Sequence, residues 1–338
     1  MSPLRLVFFG TPDIAVPALE RLIAGPHEVV GVVTQPDRAR GRGRKASPTP
    51  VAEVALREGI ELLRPEHVGD DQTLSRLRAM RPDLGIVVAF GQFLPRKVRT
   101  LPRCGYLINA HASLLPRYRG AAPIARAILE DQAETGISIM RVEREMDAGP
   151  VAHVVRTPIR WQEDTAALSA RLAALAASAI AEVVDQIAGD HVVWTEQDAS
   201  RATAAPKLEK SDALLDLTQD ARSLACRIHA LAPRPGGSVT LVSGEGDLET
   251  GVSLKITRAD VMPYGAATKD QGRPRPGTIV READGGALRI ATGDGWLVPL
   301  VVQRAGGKAL PIADFLRGFE LASDARAALP ASDAGCTR

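Results

Sequence analysis

Two short apolar runs, one on each side of a helix-period segment, occupy the first 33 residues. No other feature restricts the possible folds of this chain as much. Leu4 to Phe9 is apolar apart from Arg5 and stops at Gly10-Thr11-Pro12-Asp13; Val16, Leu19, Leu22 and Ile23 then repeat at helical spacing, and Val29 to Val33 is a second run. Runs this short and this apolar are buried on both faces, which is the signature of parallel strands covered by helices. Strand, helix and strand within about 30 residues make a βαβ unit with a right-handed crossover. Only Gly10 stands in the first turn, where a dinucleotide fingerprint needs three glycines, so NAD-type binding is excluded. Val51 to Glu58 and Leu74 to Met80 are read as helices, and Leu84 to Ala89 as a third buried strand. Gly136 to Val142 and Val151 to Arg156 are read as antiparallel neighbours, and Leu168 to Ile187 as a long Ala-rich helix over the sheet. The fold class is α/β.

The most informative stretch runs from Tyr106 to Ala125. It opens as a strand and places Asn109 and His111 on alternate positions, so both side chains leave one face. A Ser113-Leu114-Leu115-Pro116 turn follows. Arg117-Tyr118-Arg119-Gly120 then leads into a helix with Pro123 in its first turn. Acyl transfer needs a neutral donor for an oxyanion and a group that moves a proton near neutral pH, and an amide with an imidazole meets both needs. A lone Asn or His at a strand end is more often a satisfied structural group. Phe90 and Phe93 follow the third strand, and they read equally as the wall of a flat pocket and as core.

Charge gives a local signal and no global one. Lys and Arg number 42 against 40 Asp and Glu. After the second strand, however, Arg38, Arg40, Arg42, Arg44 and Lys45 follow one another with no acid among them, between glycines and bracketing prolines. Such a run is a solvated loop or a phosphate-contacting one. Its place beyond a strand puts it at the sheet edge where α/β sites form, which favours the second reading. The three cysteines and six histidines are scattered without metal-ligand spacing, so no metal is expected. With no signal segment and no apolar run near the length of a membrane span, a soluble cytoplasmic protein is expected.

A polar stretch at residues 195–210 reads as a linker between a domain of residues 1–194 and a second of 211–322. Residues 323–338 read as a fraying tail. The second domain begins with a helix, Asp220 to Ala230. Short β-rich runs separated by Gly and polar turns follow, and they suggest a small OB-like barrel.

Asn109-x-His111, Ser113-Leu114-Leu115-Pro116, Arg119-Gly120 and Met146-Asp147-Ala148-Gly149 occur in the order found in the folate-dependent formyltransferases, and the chain resembles that family over nearly its whole length. Phe9-Gly10-Thr11-Pro12-Asp13, Thr34-Gln35-Pro36-Asp37, Pro206-Lys207-Leu208 and Gly307-Lys308 bring it closest to the branch that acts on initiator tRNA. The resemblance implies a Rossmann-like catalytic domain with an OB-like C-terminal domain. It implies 10-formyltetrahydrofolate as formyl donor, and as acceptor the amino group of methionine esterified to initiator tRNA. Asn109, His111 and Asp147 are the implied catalytic residues. The folate site is implied at Ser113, Leu114, Leu115, Pro116 and Phe90, and tRNA contacts at Arg38, Arg40, Arg42, Arg44, Lys45 and Lys207. A monomer is expected. In Pro233-Arg234-Pro235 the chain departs from the family, which often has Trp between the prolines. Two rival readings are a formyltransferase acting on a small amine, such as a sugar nucleotide or glycinamide ribonucleotide, and a non-catalytic RNA-binding protein. The first shares the core motif but needs neither basic loop nor second domain. The second leaves Asn109, His111 and Asp147 without a role.

Overall fold

A computed structural model describes residues 2–40, 45–244, 250–265, 272–282 and 286–330 of the chain. They form two compact units. One comprises Met1–Pro123, Glu134–Pro158 and Ser169–Pro206; the other comprises Ile124–Ala133, Ile159–Leu168 and Lys207–Arg338.

The first unit is built on a seven-stranded sheet. Its strands are β1 (Arg5–Gly10), β2 (Glu28–Val33), β5 (Leu62–Leu63), β6 (Leu84–Val88), β7 (Leu107–His111), β8 (Glu134–Arg141) and β9 (Val151–Pro158), in the order β5-β2-β1-β6-β7-β8-β9. The five strands from β5 to β7 are parallel, β8 runs antiparallel to β7, and β9 runs antiparallel to β8. This is the mostly parallel, Rossmann-like sheet expected. Its centre is apolar on both faces, and Leu6, Phe8, Leu84, Ile86, Leu107 and Ile108 are fully buried. The crossovers carry α1 (Val16–Ile23), α2 (Pro50–Arg57) and α3 (Asp71–Ala79). Asp70 caps α3 by accepting from the Thr73 backbone N–H, which satisfies one of the donors a helix start leaves free. The two-residue β5 and the one-turn helix α4 (Arg96–Arg99) are too short to show a period in sequence.

Three expectations change. The described ends of the basic segment are paired strands and not a structureless loop: β3 (Arg38–Arg40) pairs antiparallel with β4 (Lys45–Ser47). Few β-branched or aromatic residues announce it, and an Asp37–Arg64 ion pair of 2.7 Å ties its base to the residue after β5. The stretch read as a linker is fastened to the first unit, with bridges Val151↔Thr195 and Arg119↔Ala204. Finally, α6 (Thr165–Ala188), which follows α5 (Pro123–Leu129), is long and apolar enough by length and composition to cross a membrane. Alanine counts as apolar in such a test and is also the best helix former. Half of the relevant window is buried in the molecule, with Leu172, Ala176, Ile180, Val183 and Val184 on the inward stripe.

The second unit opens with α7 (Ala221–Leu231), capped by Asp220. Its strands are β10 (Gly237–Ser243), β11 (Thr250–Pro263), β12 (Ile279–Arg281), β13 (Leu288–Ala291), β14 (Gly295–Arg304), β15 (Ala309–Pro311) and β16 (Arg326–Ala328). Six of them form an antiparallel sheet in the order β12-β13-β14-β11-β10-β16, and β15 pairs with β14. A bridge from Thr278 to Arg326 joins the two ends, which makes a nearly closed barrel. Gly277 makes this join possible: its φ is +90°, and a Cβ there would lie 2.2 Å from the Ala327 carbonyl oxygen. The supposed fraying tail therefore supplies a barrel strand at 326–328. Leu224, Ile228, Val239, Leu254, Ile256, Leu297 and Phe315 fill the interior, the last from α8 (Ile312–Arg317). Arg234, between its prolines, is exposed.

Candidate active site

β7 lies between β6 and β8, with Asn109 paired to Val87 on one side and Met140 on the other. Asn109 and His111 share a face of the strand, as their spacing requires. His111 is buried, and its side chain is 6% exposed. Its Nε2 lies 2.8 Å from the Tyr118 carbonyl oxygen. A carbonyl only accepts, so Nε2 carries the hydrogen. The remaining ring nitrogen, Nδ1, faces Asp147 Oδ2 at 3.5 Å. That is too long for a strong hydrogen bond and close enough for an ion pair once Nδ1 takes up a proton.

Asp147 is fixed independently of the imidazole. Its Oδ2 accepts from the Gly120 backbone N–H at 2.9 Å. Gly120 has φ +124°, and a Cβ there would lie 2.9 Å from the Ala205 carbonyl oxygen. Tyr118 and Asp147 both adopt left-handed φ, +60° and +52°, which side chains other than glycine rarely take. His111 is thus held between two left-handed residues, one presenting a carbonyl and the other a carboxylate. The half-buried Asn109 amide has no hydrogen-bond partner among the described residues. A polar side chain in such a place is available to a ligand.

The Ser113 to Pro116 turn is pinned from β8. Ser138 Oγ donates to the Ser113 carbonyl at 2.7 Å and accepts from the Leu115 N–H at 3.1 Å. The Ser113 hydroxyl is spent on the Arg117 carbonyl at 2.6 Å. Leu114 is half-buried. Leu115 and Pro116 line a cleft of about 350 Å³ with Val151, Thr195 and Gln197. Phe90 is not among the residues lining this cleft. Its ring is in the core, edge-on to Phe9 at 5.6 Å, and its carbonyl accepts from Thr11 Oγ1 and Gln35 Nε2. Of the basic residues, Arg38 is exposed on β3 and Lys207 is exposed in the second unit. Arg42 and Arg44 lie outside the described residues, as do the side chains of Arg40 and Lys45.

Residues 4–184 match the formyl transferase family, and residues 207–320 match the formyl transferase C-terminal domain. The chain belongs to that family. Among curated relatives of this formyltransferase, the methionyl-tRNA formyltransferase of Roseiflexus sp. (strain RS-1) is 41% identical over 96% of this chain and 95% of its own. That of Methylococcus capsulatus (strain ATCC 33009 / NCIMB 11132 / Bath) is 42% identical over 94% and 98%. The solved N-formyltransferase from Helicobacter canadensis, in complex with folinic acid and dTDP-3-aminofucose, has a TM-score of 0.61 at 14% identity, covering 89% of this chain and 99% of that one. A HypX variant from Aquifex aeolicus has a TM-score of 0.60 at 19% identity, covering 94% of this chain and 49% of that one. At such identities the two structures speak for the fold alone.

Among the described residues, no three His, Cys, Asp or Glu side chains gather closely enough to hold a metal. Burial raises the Cys104 thiol and pushes that of Cys226 up to about 12, so neither is a ready nucleophile. Reading the sequence missed Gln197 and Thr203. Tyr118 N donates to Thr203 Oγ1 at 2.9 Å, and Arg119 N donates to the Thr203 carbonyl at 2.8 Å. Both residues sit in the polar stretch read as a linker, where no period or motif marks them.

Proposed function

We propose that this formyltransferase moves the formyl group of 10-formyltetrahydrofolate to the amino group of methionine esterified to initiator tRNA. The observation that carries this is a free Asn109 amide on the same strand face as an imidazole whose open nitrogen is turned to the Asp147 carboxylate. The names of relatives at 41% and 42% identity support the tRNA-bound acceptor. The methionine nitrogen attacks the formyl carbon. A new C–N bond forms, and the carbonyl electrons move to oxygen. Collapse of the tetrahedral species breaks the bond to the folate nitrogen. The proton lost by the amine is the one the leaving nitrogen gains. Asn109 donates a hydrogen bond to the oxyanion, an interaction stronger in the transition state than before it. With Nε2 engaged by Tyr118, His111 acts through Nδ1 against Asp147, and Asp147 takes the amine's proton and passes it on to the leaving nitrogen. Leu115 and Pro116 shape the folate side. Arg38, Arg40, Arg42, Arg44, Lys45 and Lys207 contact tRNA phosphates.

Formyl transfer from the folate donor to Met-tRNA, to free methionine and to small amines tests the reading. Transfer to Met-tRNA alone is expected. Preference for a small amine would point to the other branch of the family. Loss of one oxyanion donor costs roughly a hundredfold in kcat, so Asn109→Ala is expected to lose at least that much while keeping its far-UV circular dichroism. Wild-type turnover by this variant would remove Asn109 from the mechanism.

A further inference from the structure

Gln197 divides its side-chain amide between the segment that carries Asp147 and the Arg119 guanidinium. Its Nε2 donates to the Asp147 carbonyl at 2.8 Å and to the Gly149 carbonyl at 2.7 Å. Its Oε1 accepts from Arg119 Nε at 3.1 Å and Nη2 at 2.8 Å. Both amide hydrogens and both carbonyl lone pairs are engaged. The amide has only one sensible orientation, because a flip would set an acceptor against two carbonyls and a donor against a guanidinium. No element of regular structure holds Asp147 in its left-handed conformation, which is costly for a residue with a side chain. The Gln197 bonds to the carbonyls of Asp147 and Gly149 hold the backbone on either side of it. Through the Arg119 fork the same amide holds the turn whose next residue, Gly120, donates to Asp147 Oδ2. Gln197 thus grips both ends of the arrangement that aims the carboxylate.

We propose that Gln197 is a positioning residue for catalysis. It acts on turnover through Asp147, by locking the 147–149 loop to the Arg119–Gly120 turn. This rests on the reading of Asp147 given above. The test is a double-mutant cycle of Gln197→Ala and Asp147→Asn, with kcat and both KM values measured on Met-tRNA and 10-formyltetrahydrofolate. Single-turnover conditions with excess enzyme serve the slow variants. Gln197→Ala is expected to lower kcat at least tenfold in the wild-type background, with both KM values within threefold. In the Asp147→Asn background it is expected to lower kcat less than twofold, because the group it positions is no longer competent. Equal losses in both backgrounds would mean general damage to the unit and overturn the proposal, as would undiminished kcat in the first. If Gln197→Ala fails to fold, the near-isosteric Gln197→Glu takes its place in the cycle. It keeps the Arg119 partner and turns an oxygen towards the two carbonyls, and the same pattern is expected. Wild-type turnover by Asp147→Asn alone would instead sink the reading of the site, and the inference with it.

Discussion

At the scale of single residues, the His111 imidazole is defined by what occupies its two nitrogens, and both partners depend on backbone that few residues adopt. Gly120 is the clearest point of failure. Alanine there must hold φ near +124° and place a methyl 2.9 Å from the Ala205 carbonyl oxygen. Strain of this kind costs about 1–3 kcal/mol, and relief moves the N–H that binds Asp147. Gly120→Ala is expected to lower Tm by several degrees and kcat by about tenfold, read by thermal unfolding and by steady-state formylation. An unchanged kcat would show that Asp147 does not need that N–H. Asn109, His111 and Asp147 were visible in the sequence because a two-residue spacing and a short downstream motif are local facts. Gln197 was invisible because its role arises only when the chain folds back on the Arg119 turn. Phe90 was ambiguous for a different reason: an aromatic ring after a buried strand suits a core and a pocket equally, and the structure packs it edge-on to Phe9.

At the scale of elements, legibility followed length and polarity. The buried strands and the longer helices announce themselves through period and apolarity. β5 and α4 are too short to do so, β3 and β4 lack strand-forming residues, and β16 was hidden in an Ala-rich tail. Caps are the other local signal, and that of α2 is testable. Thr49 precedes Pro50, and its Oγ1 accepts from the Ala52 N–H at 3.1 Å. It also lies 2.8 Å from Thr34 Oγ1, and both hydroxyls are buried. Thr49→Val keeps the shape but removes the cap and leaves the Thr34 hydroxyl unpaired. A loss of about 1–2 kcal/mol is expected, measured as a lower denaturant midpoint at unchanged m-value. A loss under 0.3 kcal/mol would mean that water replaces the cap. The double change with Thr34→Val is expected to be milder than the sum, since no orphan hydroxyl remains.

At the scale of the whole molecule, the sequence implied two consecutive domains, whereas the second compact unit also takes in 124–133 and 159–168 from the middle of the chain. Those pieces carry side chains whose partners lie a hundred residues on, and no local pattern records such pairings. Arg222 donates through Nε and Nη2 to the Asp131 carboxylate, and Trp161 Nε1 donates to Asp260 at 2.9 Å. Trp161 also lies edge-on to His229 at 5.5 Å, and this histidine is expected to make the unit sensitive to acid. His229 is buried with Nε2 2.9 Å from the Ala259 carbonyl. Burial holds its pKa below the ordinary value, Arg258 adds to that, and the Ala259 carbonyl, Asp164 and Asp260 oppose it. The unfolded chain therefore binds a proton near pH 6.5 that the folded chain refuses until lower pH. Between those two values the unfolded state holds more protons, so stability rises with pH across the window and falls as the solution is acidified through it. Chemical denaturation of the full chain from pH 8 to pH 5 is expected to show this loss beginning near pH 6.5. His229→Gln, which keeps a donor for the Ala259 carbonyl and carries no titrating ring, is expected to flatten it. The carboxylates of Asp70 and Asp220, held below the ordinary carboxylate range by the backbone N–H groups they cap, leave this window untouched. An equal slope in wild type and variant would assign the acid sensitivity to another group.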